Sequence, residues 1–396
     1  MNSDSAYSEA GQATTPISQF IQSHWQRPLH AQGTAPAEFS ALETTLDAQA
    51  CGQCHVQQFT DWQASVHRQS MGPGLYGQLR AMGADAMEEH QACLHCHAPL
   101  QEQAQHLIQS LKAGARGAPQ RSDGADVTQG LSCAGCHVRD HRRFGPPRRD
   151  GTTPESAEKL PHRGWVATEA FSDSQFCAAC HQFPPDGYAL NGKLLENTYV
   201  EWQQSRYARE NRPCQSCHMV DRRHLWRGIH DPAMVNSGVK VEGHATHVTK
   251  SKVAAQLTLS NIGVGHYFPT YVTPLVMIEI YQTDAQGRML AKTLMREFIG
   301  RKVSLDLTHE LYDTRIAPDE VRVINYAKVG YKNARRIQFR VTVLPDAFYA
   351  EFYRATLADH GFKKGRAEIT QALAAASKTP YILYESMQPL VDSKSE

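Results

Sequence analysis

The chain has 396 residues, 41% hydrophobic and 20% charged, with 41 Lys and Arg against 40 Asp and Glu. That length fits one or two domains. The near balance of charge excludes the basic signature of a nucleic-acid binder, and no apolar run is long enough to span a bilayer.

Met1-Asn-Ser-Asp-Ser carries neither a basic nor an apolar targeting segment. Residues 1–40 are rich in Ser, Thr, Gln, Ala and Pro, which predicts a loose N-terminal arm.

From residue 51 the cysteines take over. All ten fall in five copies of one pattern: Cys51-Gly-Gln-Cys54-His55, Cys93-Leu-His-Cys96-His97, Cys133-Ala-Gly-Cys136-His137, Cys177-Ala-Ala-Cys180-His181 and Cys214-Gln-Ser-Cys217-His218. This is the attachment signal of a c-type haem. The two thiols form thioethers with the porphyrin, and the following histidine is the proximal ligand of the iron. Zinc also uses Cys-x-x-Cys pairs, but it has no need of a histidine straight after the second cysteine. A thioredoxin-like redox motif would occur once, not five times. The expected cofactors are five covalent haems c, spaced about 40 residues apart along residues 41–248. So dense a loading makes porphyrin much of the core and leaves the peptide mainly α-helical and irregular. In bacteria such attachment takes place outside the cytoplasm. The expectation is a mature chain in the periplasm or at the cell surface, its export signal missing from the numbering.

A haem that only carries electrons commonly takes a second imidazole, and 17 of the 20 histidines precede residue 250. His67 follows Trp62 on a helical pattern. The echo of that pattern in Val200-Glu-Trp202-Gln-Gln-Ser-Arg-Tyr207 puts a tyrosine where the first copy has His67. His162 precedes the fourth motif, with His141 held in reserve. His224 and His230 lie six residues apart and so do not share a helical face; they are expected to reach two different irons. The adjacent Arg222, Arg223 and Arg227 suit propionates. His266 lies in Asn261-Ile-Gly-Val-Gly-His266-Tyr-Phe-Pro-Thr270, whose glycines allow a close approach to a haem. His244 and His247 would share a face if their segment were helical. The distal set predicted is therefore His67, His162, His224, His230 and His266.

Beyond residue 250 the period changes to two. Val253, Ala255, Leu257 and Leu259 alternate with polar residues, as do Ile337, Phe339, Val341 and Val343. Val276 to Ile280 and Val321 to Val329 read as two further strands. The fold class expected for residues 249–396 is a small all-β, immunoglobulin-like sandwich, closed by helices over 347–360 and 366–377.

Several of these stretches together resemble a known family. They are Cys51 to His67, Gly130 to His137, Ser174 to Phe183, Glu201 to Ala208, Cys214 to Met219, His224 to Asp231 and the Gly-x-Gly-His-x-Phe-Pro-Thr loop. The resemblance is to multihaem cytochromes related to the tetrahaem electron acceptor of hydroxylamine oxidoreductase, over about residues 50–285. It implies haems stacked in close pairs. It also implies that His67 ligates the third haem, that His162 ligates the fourth, and that a histidine of the 224–230 segment reaches the first. The function expected is transfer of single electrons between redox partners, either donor and acceptor cytochromes or a quinol-oxidising complex. The alternative is an enzyme acting on a small nitrogen or sulfur oxyanion at one iron that lacks a distal ligand.

Overall fold

A computed structural model describes residues 15–114, 123–153, 156–249 and 251–390. The N-terminal half is a set of short helices joined by irregular chain: α1 (Pro16–His24), α2 (Val56–Gln63), α3 (Pro73–Met82), α4 (Met87–His97), α5 (Gln101–Ala113), α6 (Cys133–His137), α7 (Ser174–His181), α8 (Thr198–Gln204) and α9 (Cys214–His218). Four of the Cys-x-x-Cys-His motifs lie in the last turns of α4, α6, α7 and α9. A helical turn suits them, because residues i, i+3 and i+4 share one face. Both sulfurs and the imidazole are thus presented to one side.

Of the arm expected over residues 1–40, residues 1–14 lie outside the described residues, and Pro16–His24 is helical. Thr15 caps α1, accepting from the Ser18 amide at 3.1 Å. The helix packs Phe20 and His24 against Phe144 and Phe171. His24 is buried with its Nε2 2.8 Å from the Cys136 carbonyl, and burial lowers its pKa to about 3. Neutral, it donates that hydrogen bond and holds α1 over the third motif. This helix is amphipathic enough to find a face, which the polar composition of the arm concealed.

The C-terminal half contains β1 (Val239–Val248), β2 (Lys252–Asn261), β3 (Leu275–Thr283), β4 (Met295–Ile299), β5 (Arg301–Val303), β6 (Glu310–Asp313), β7 (Val321–Val329), β8 (Arg336–Leu344) and β9 (Tyr381–Pro389). One antiparallel sheet has the order β7-β2-β1 and another the order β9-β8-β3-β4. Their inner faces share one core: Val253, Ala255, Leu257, Leu259, Ile324 and Tyr326 from the first, Val276, Ile278, Ile280, Ile337, Phe339, Val341 and Val343 from the second. The alternation read from sequence is the alternation buried. The sheet begins at Val239, ahead of the expected boundary. His244 therefore lies exposed on a strand, not on a helix. Helices α10 (Ala347–Ala358) and α11 (Arg366–Ala376) follow β8, and α11 packs on α3 with an Arg80–Glu368 ion pair. No described helix is long and apolar enough to cross a membrane.

Two buried arginines join the halves. Arg301, 1% exposed, pairs with Glu310 at 2.8 Å and donates to the carbonyls of Leu190, Lys193 and Leu194. Arg315 pairs with Glu201 of α8 at 2.9 Å and with Asp313 of β6. Removing one partner of such a buried network costs about 3–5 kcal/mol, because the remaining groups stay desolvated. Arg301→Leu is expected to lower the thermal midpoint accordingly. Arg322→Leu, whose ion pair is more exposed, should lower it far less.

Candidate haem-binding site

The ten cysteines form no disulfide. They bring the motifs together instead. The thiol of Cys51 meets that of Cys133, Cys96 meets Cys180, and Cys177 meets Cys214. First and third, second and fourth, and fourth and fifth motifs are therefore neighbours.

The imidazoles are ordered in pairs. Ring centroids lie 6.5 Å apart for His55 and His162, 6.2 Å for His67 and His181, 6.1 Å for His137 and His224, and 6.4 Å for His218 and His266. Two imidazoles on opposite sides of one first-row metal, with bonds of roughly 2.0 Å, have centroids about 6.3 Å apart. Stacking in direct contact would bring them much closer. Each pair thus has room for a metal between the rings.

The other ring nitrogen is occupied in most of them. Nδ1 of His97, His137 and His218 is 2.7–2.8 Å from the carbonyls of Ser70, Phe144 and Arg227. Nδ1 of His162, His224 and His266 faces the carbonyls of Gly164, Arg222 and Tyr267 at 2.8–3.0 Å. A carbonyl only accepts, so it fixes the proton on Nδ1 and leaves Nε2 for a metal. Burial lowers the pKa of His67 to about 3 and those of His137, His181 and His266 to about 4. The neutral imidazole is the form that binds iron. The residues present therefore fit haem, which would supply the redox-active iron.

The pairings differ from those the family resemblance implies. His67 stands opposite the fourth motif's histidine, not the third's; His162 opposite the first's, not the fourth's; and His224 opposite the third's, not the first's. His230 is not in one of these imidazole pairs. The chain from His224 to His230 is not helical, and at its end His230 lies half exposed with Nε2 3.1 and 3.2 Å from the two Asp346 oxygens. His141 sends Nε2 to the Gly33 carbonyl. His97 has no histidine ring opposite it among the described residues.

Local sequence explains each placement. Asp61 on α2 accepts two 2.7 Å bonds from Arg223 and one of 3.0 Å from the His224 amide, which sets the start of that segment. Arg223 thus has a protein carboxylate as its partner. Trp226 lies edge-on to both His67 and His224. Gly130, at φ +64°, lets the chain pass beneath His67; a Cβ there would meet Ser70 Oγ at 2.5 Å and the His67 carbonyl at 2.7 Å. His266 is carried by the loop after β2. The Asn261 amide closes that loop, and Gly265 lies where a Cβ would press on Trp202 and Tyr207 at 3.3–3.4 Å. Tyr207, the counterpart of His67, is buried and bonds the Ile262 carbonyl. It supports this loop. Asp61, Trp226 and Tyr271, which bonds His181, were not found from sequence, for nothing local distinguishes them from other packed polar or aromatic residues.

A family model described as cytochrome c554 and c-prime matches residues 50–138. No curated protein matches. Among solved structures, the crystal structure of a penta-heme cytochrome c552 from Thermochromatium tepidum matches with a TM-score of 0.58 and 17% identity, over 88% of this chain and 99% of that one. The match shows a shared fold, and at 88% coverage it extends into the β-rich half of this chain.

The two Trp-Gln-x-Ser echoes have a common purpose. Trp62 donates to the Leu131 carbonyl at 2.8 Å and Trp202 to the Arg212 carbonyl at 2.9 Å, each two residues ahead of a Cys-x-x-Cys-His motif. Ser65 and Ser205 bond the carbonyls of Trp62 and Trp202 in turn. Trp62→Phe leaves a buried carbonyl unpaired, at a cost of about 1–3 kcal/mol. Trp202→Phe, at a wetter site, should cost less. Thermal unfolding of the two variants side by side checks the order.

Proposed function

We propose that the chain binds five haems c, at Cys51/Cys54, Cys93/Cys96, Cys133/Cys136, Cys177/Cys180 and Cys214/Cys217, and carries single electrons between redox proteins outside the cytoplasm. The proximal ligands are His55, His97, His137, His181 and His218. The distal ligands are His162, His67, His224 and His266 for the first, fourth, third and fifth haems. The observation that carries this reading is the set of four imidazole pairs at the separation of a bis-imidazole iron. An iron held by two protein imidazoles would suit outer-sphere electron transfer and leave no place for a substrate. The close motif pairs join the first site to the third and the second to the fourth and fifth, and Cys136 of the third motif interacts with Cys177 and Cys180 of the fourth, so all five are linked. We read the β-rich half as an immunoglobulin-like module that contributes His266 and offers surface to a partner. The relation to the electron acceptor of hydroxylamine oxidoreductase rests on the sequence motifs.

A second reading has its own observation, the lack of a histidine opposite His97 among the described residues. The haem on Cys93 and Cys96 would then bind a small nitrogen or sulfur oxyanion. Voltammetry of the purified, haem-loaded protein separates the two. The carrier gives five reversible one-electron waves that nitrite, hydroxylamine and sulfite leave unchanged. A catalytic current with any of them overturns it in favour of the enzyme.

The pairing makes a sharper prediction. Asp61→Asn weakens the grip on Arg223 and on the His224 amide. It is expected to loosen His224 and raise the high-spin fraction of one ferric haem, the one His137 holds. His224→Ala should do the same completely, and His230→Ala should leave every haem low-spin that is low-spin in the parent; magnetic circular dichroism reads all three.

A further inference from the structure

Three proximal histidines bond a backbone carbonyl through Nδ1, whereas His181 bonds a side chain. Its Nδ1 is 2.6 Å from the Tyr271 hydroxyl, and the rings lie stacked at 6.2 Å. Tyr271 has φ +64°, a left-handed conformation that is unusual for a bulky residue and needs a surrounding structure to hold it. The Tyr271 hydroxyl also interacts with Thr198 and with the carboxyl of Glu196, whose Oε2 is buried without a hydrogen-bond partner. A carbonyl can only receive the imidazole proton. A phenol receives it and donates its own onward, so it connects the ligand to an acid.

We propose that Tyr271 and Glu196 form a relay behind His181 that couples electron uptake by the haem on Cys177 and Cys180 to uptake of one proton. This rests on His181 being that haem's ligand. The charge balance is simple. One electron arrives from the redox partner and reduces iron(III) to iron(II); one proton from solvent joins the Glu196 carboxylate, so the net charge of the region is unchanged. The carboxylate, through the Tyr271 hydroxyl, makes the imidazole a stronger donor and favours the ferric state. The protonated acid withdraws that help and favours the ferrous state. Burial already pushes the Glu196 pKa up to about 8, with Cys96 and Glu201 adding to the shift. The titratable groups around the acid are Cys96 on α4, Glu201 on α8, Tyr271 and Tyr349 on α10. Cys96 ceases to titrate once it is a thioether, and Glu201 is neutralised by Arg315. Glu196 is the group left to take the proton.

The sign follows. Below the Glu196 pKa the acid is neutral in both redox states and the potential is flat. Above it, reduction brings in a proton and the potential falls, by at most one proton per electron, a tenfold effect per pH unit or about 59 mV. The test is spectropotentiometric titration of the full haem-loaded protein from about pH 6 to about pH 10. In the parent, the wave of this haem should fall with rising pH once the Glu196 carboxyl ionises, at a pH above the ordinary carboxylate range because burial pushes that group up. In Glu196→Gln it should be flat. In Tyr271→Phe it should shift at all pH and lose most of its slope, with the other four haems unmoved. Intact mass and the low-spin signal of each variant confirm that the haem and its histidines are in place; their loss in the parent would count against the ligand assignment, not the relay. A parent wave that is flat throughout, or a slope that survives in Glu196→Gln, overturns the proposal.

Discussion

An imidazole facing an imidazole across the width of one metal ion is the constraint on which the rest of this structure depends. The four pairs link His55 to His162, His67 to His181, His137 to His224 and His218 to His266. Every link spans a long stretch of chain. The helices between them are short; α6 and α9 have five residues each. Such helices do not hold themselves together in water, and the apolar clusters of this half are small beside the core shared by the two sheets. Folding of the N-terminal half is on this account coupled to haem attachment, as metal binding is in other small-cored domains.

The β-rich half enters the same scheme through one loop. His266 follows directly from the end of β2. The rigid sheet fixes Asn261, and Glu201 of α8 receives the Tyr267 amide at 3.1 Å while it pairs with Arg315. One buried carboxylate thus fastens the ligand loop and the halves together. A ligand mounted on a sheet edge moves less than one on a free loop, and small motion keeps the reorganisation on electron transfer small. The Tyr271 contact to His181 comes from the same loop region, so two of the imidazole pairs answer to the β-rich half.

Much of this was legible in the sequence, and the reasons are physical. The Cys-x-x-Cys-His motif is local: its spacing is the helical turn that presents all three groups. The strands containing Val253 to Leu259 and Ile337 to Val343 were legible because one face is buried and the period is two. The identities of His67, His162, His224 and His266 as candidates were legible from their settings. Which proximal histidine each one faces was not, because that depends on contacts 48 to 114 residues apart along the chain. The family resemblance suggested other pairings. The placement of His230 beside Asp346 was not legible, because an irregular segment carries it there. β1 was hidden by its histidines and by Gly243, which read poorly as a strand. Asp61 and Glu196 were hidden because a buried carboxylate carries no mark of its neighbours.

The measurement that tests the central claim most directly is low-temperature electron paramagnetic resonance of the fully oxidised protein, with spins counted against total haem. This account predicts low-spin signals from four haems with two imidazoles each, and a distinct signal from the haem held by His97. A high-spin contribution well beyond one haem would contradict it, because the imidazole pairs would then not be ligand pairs.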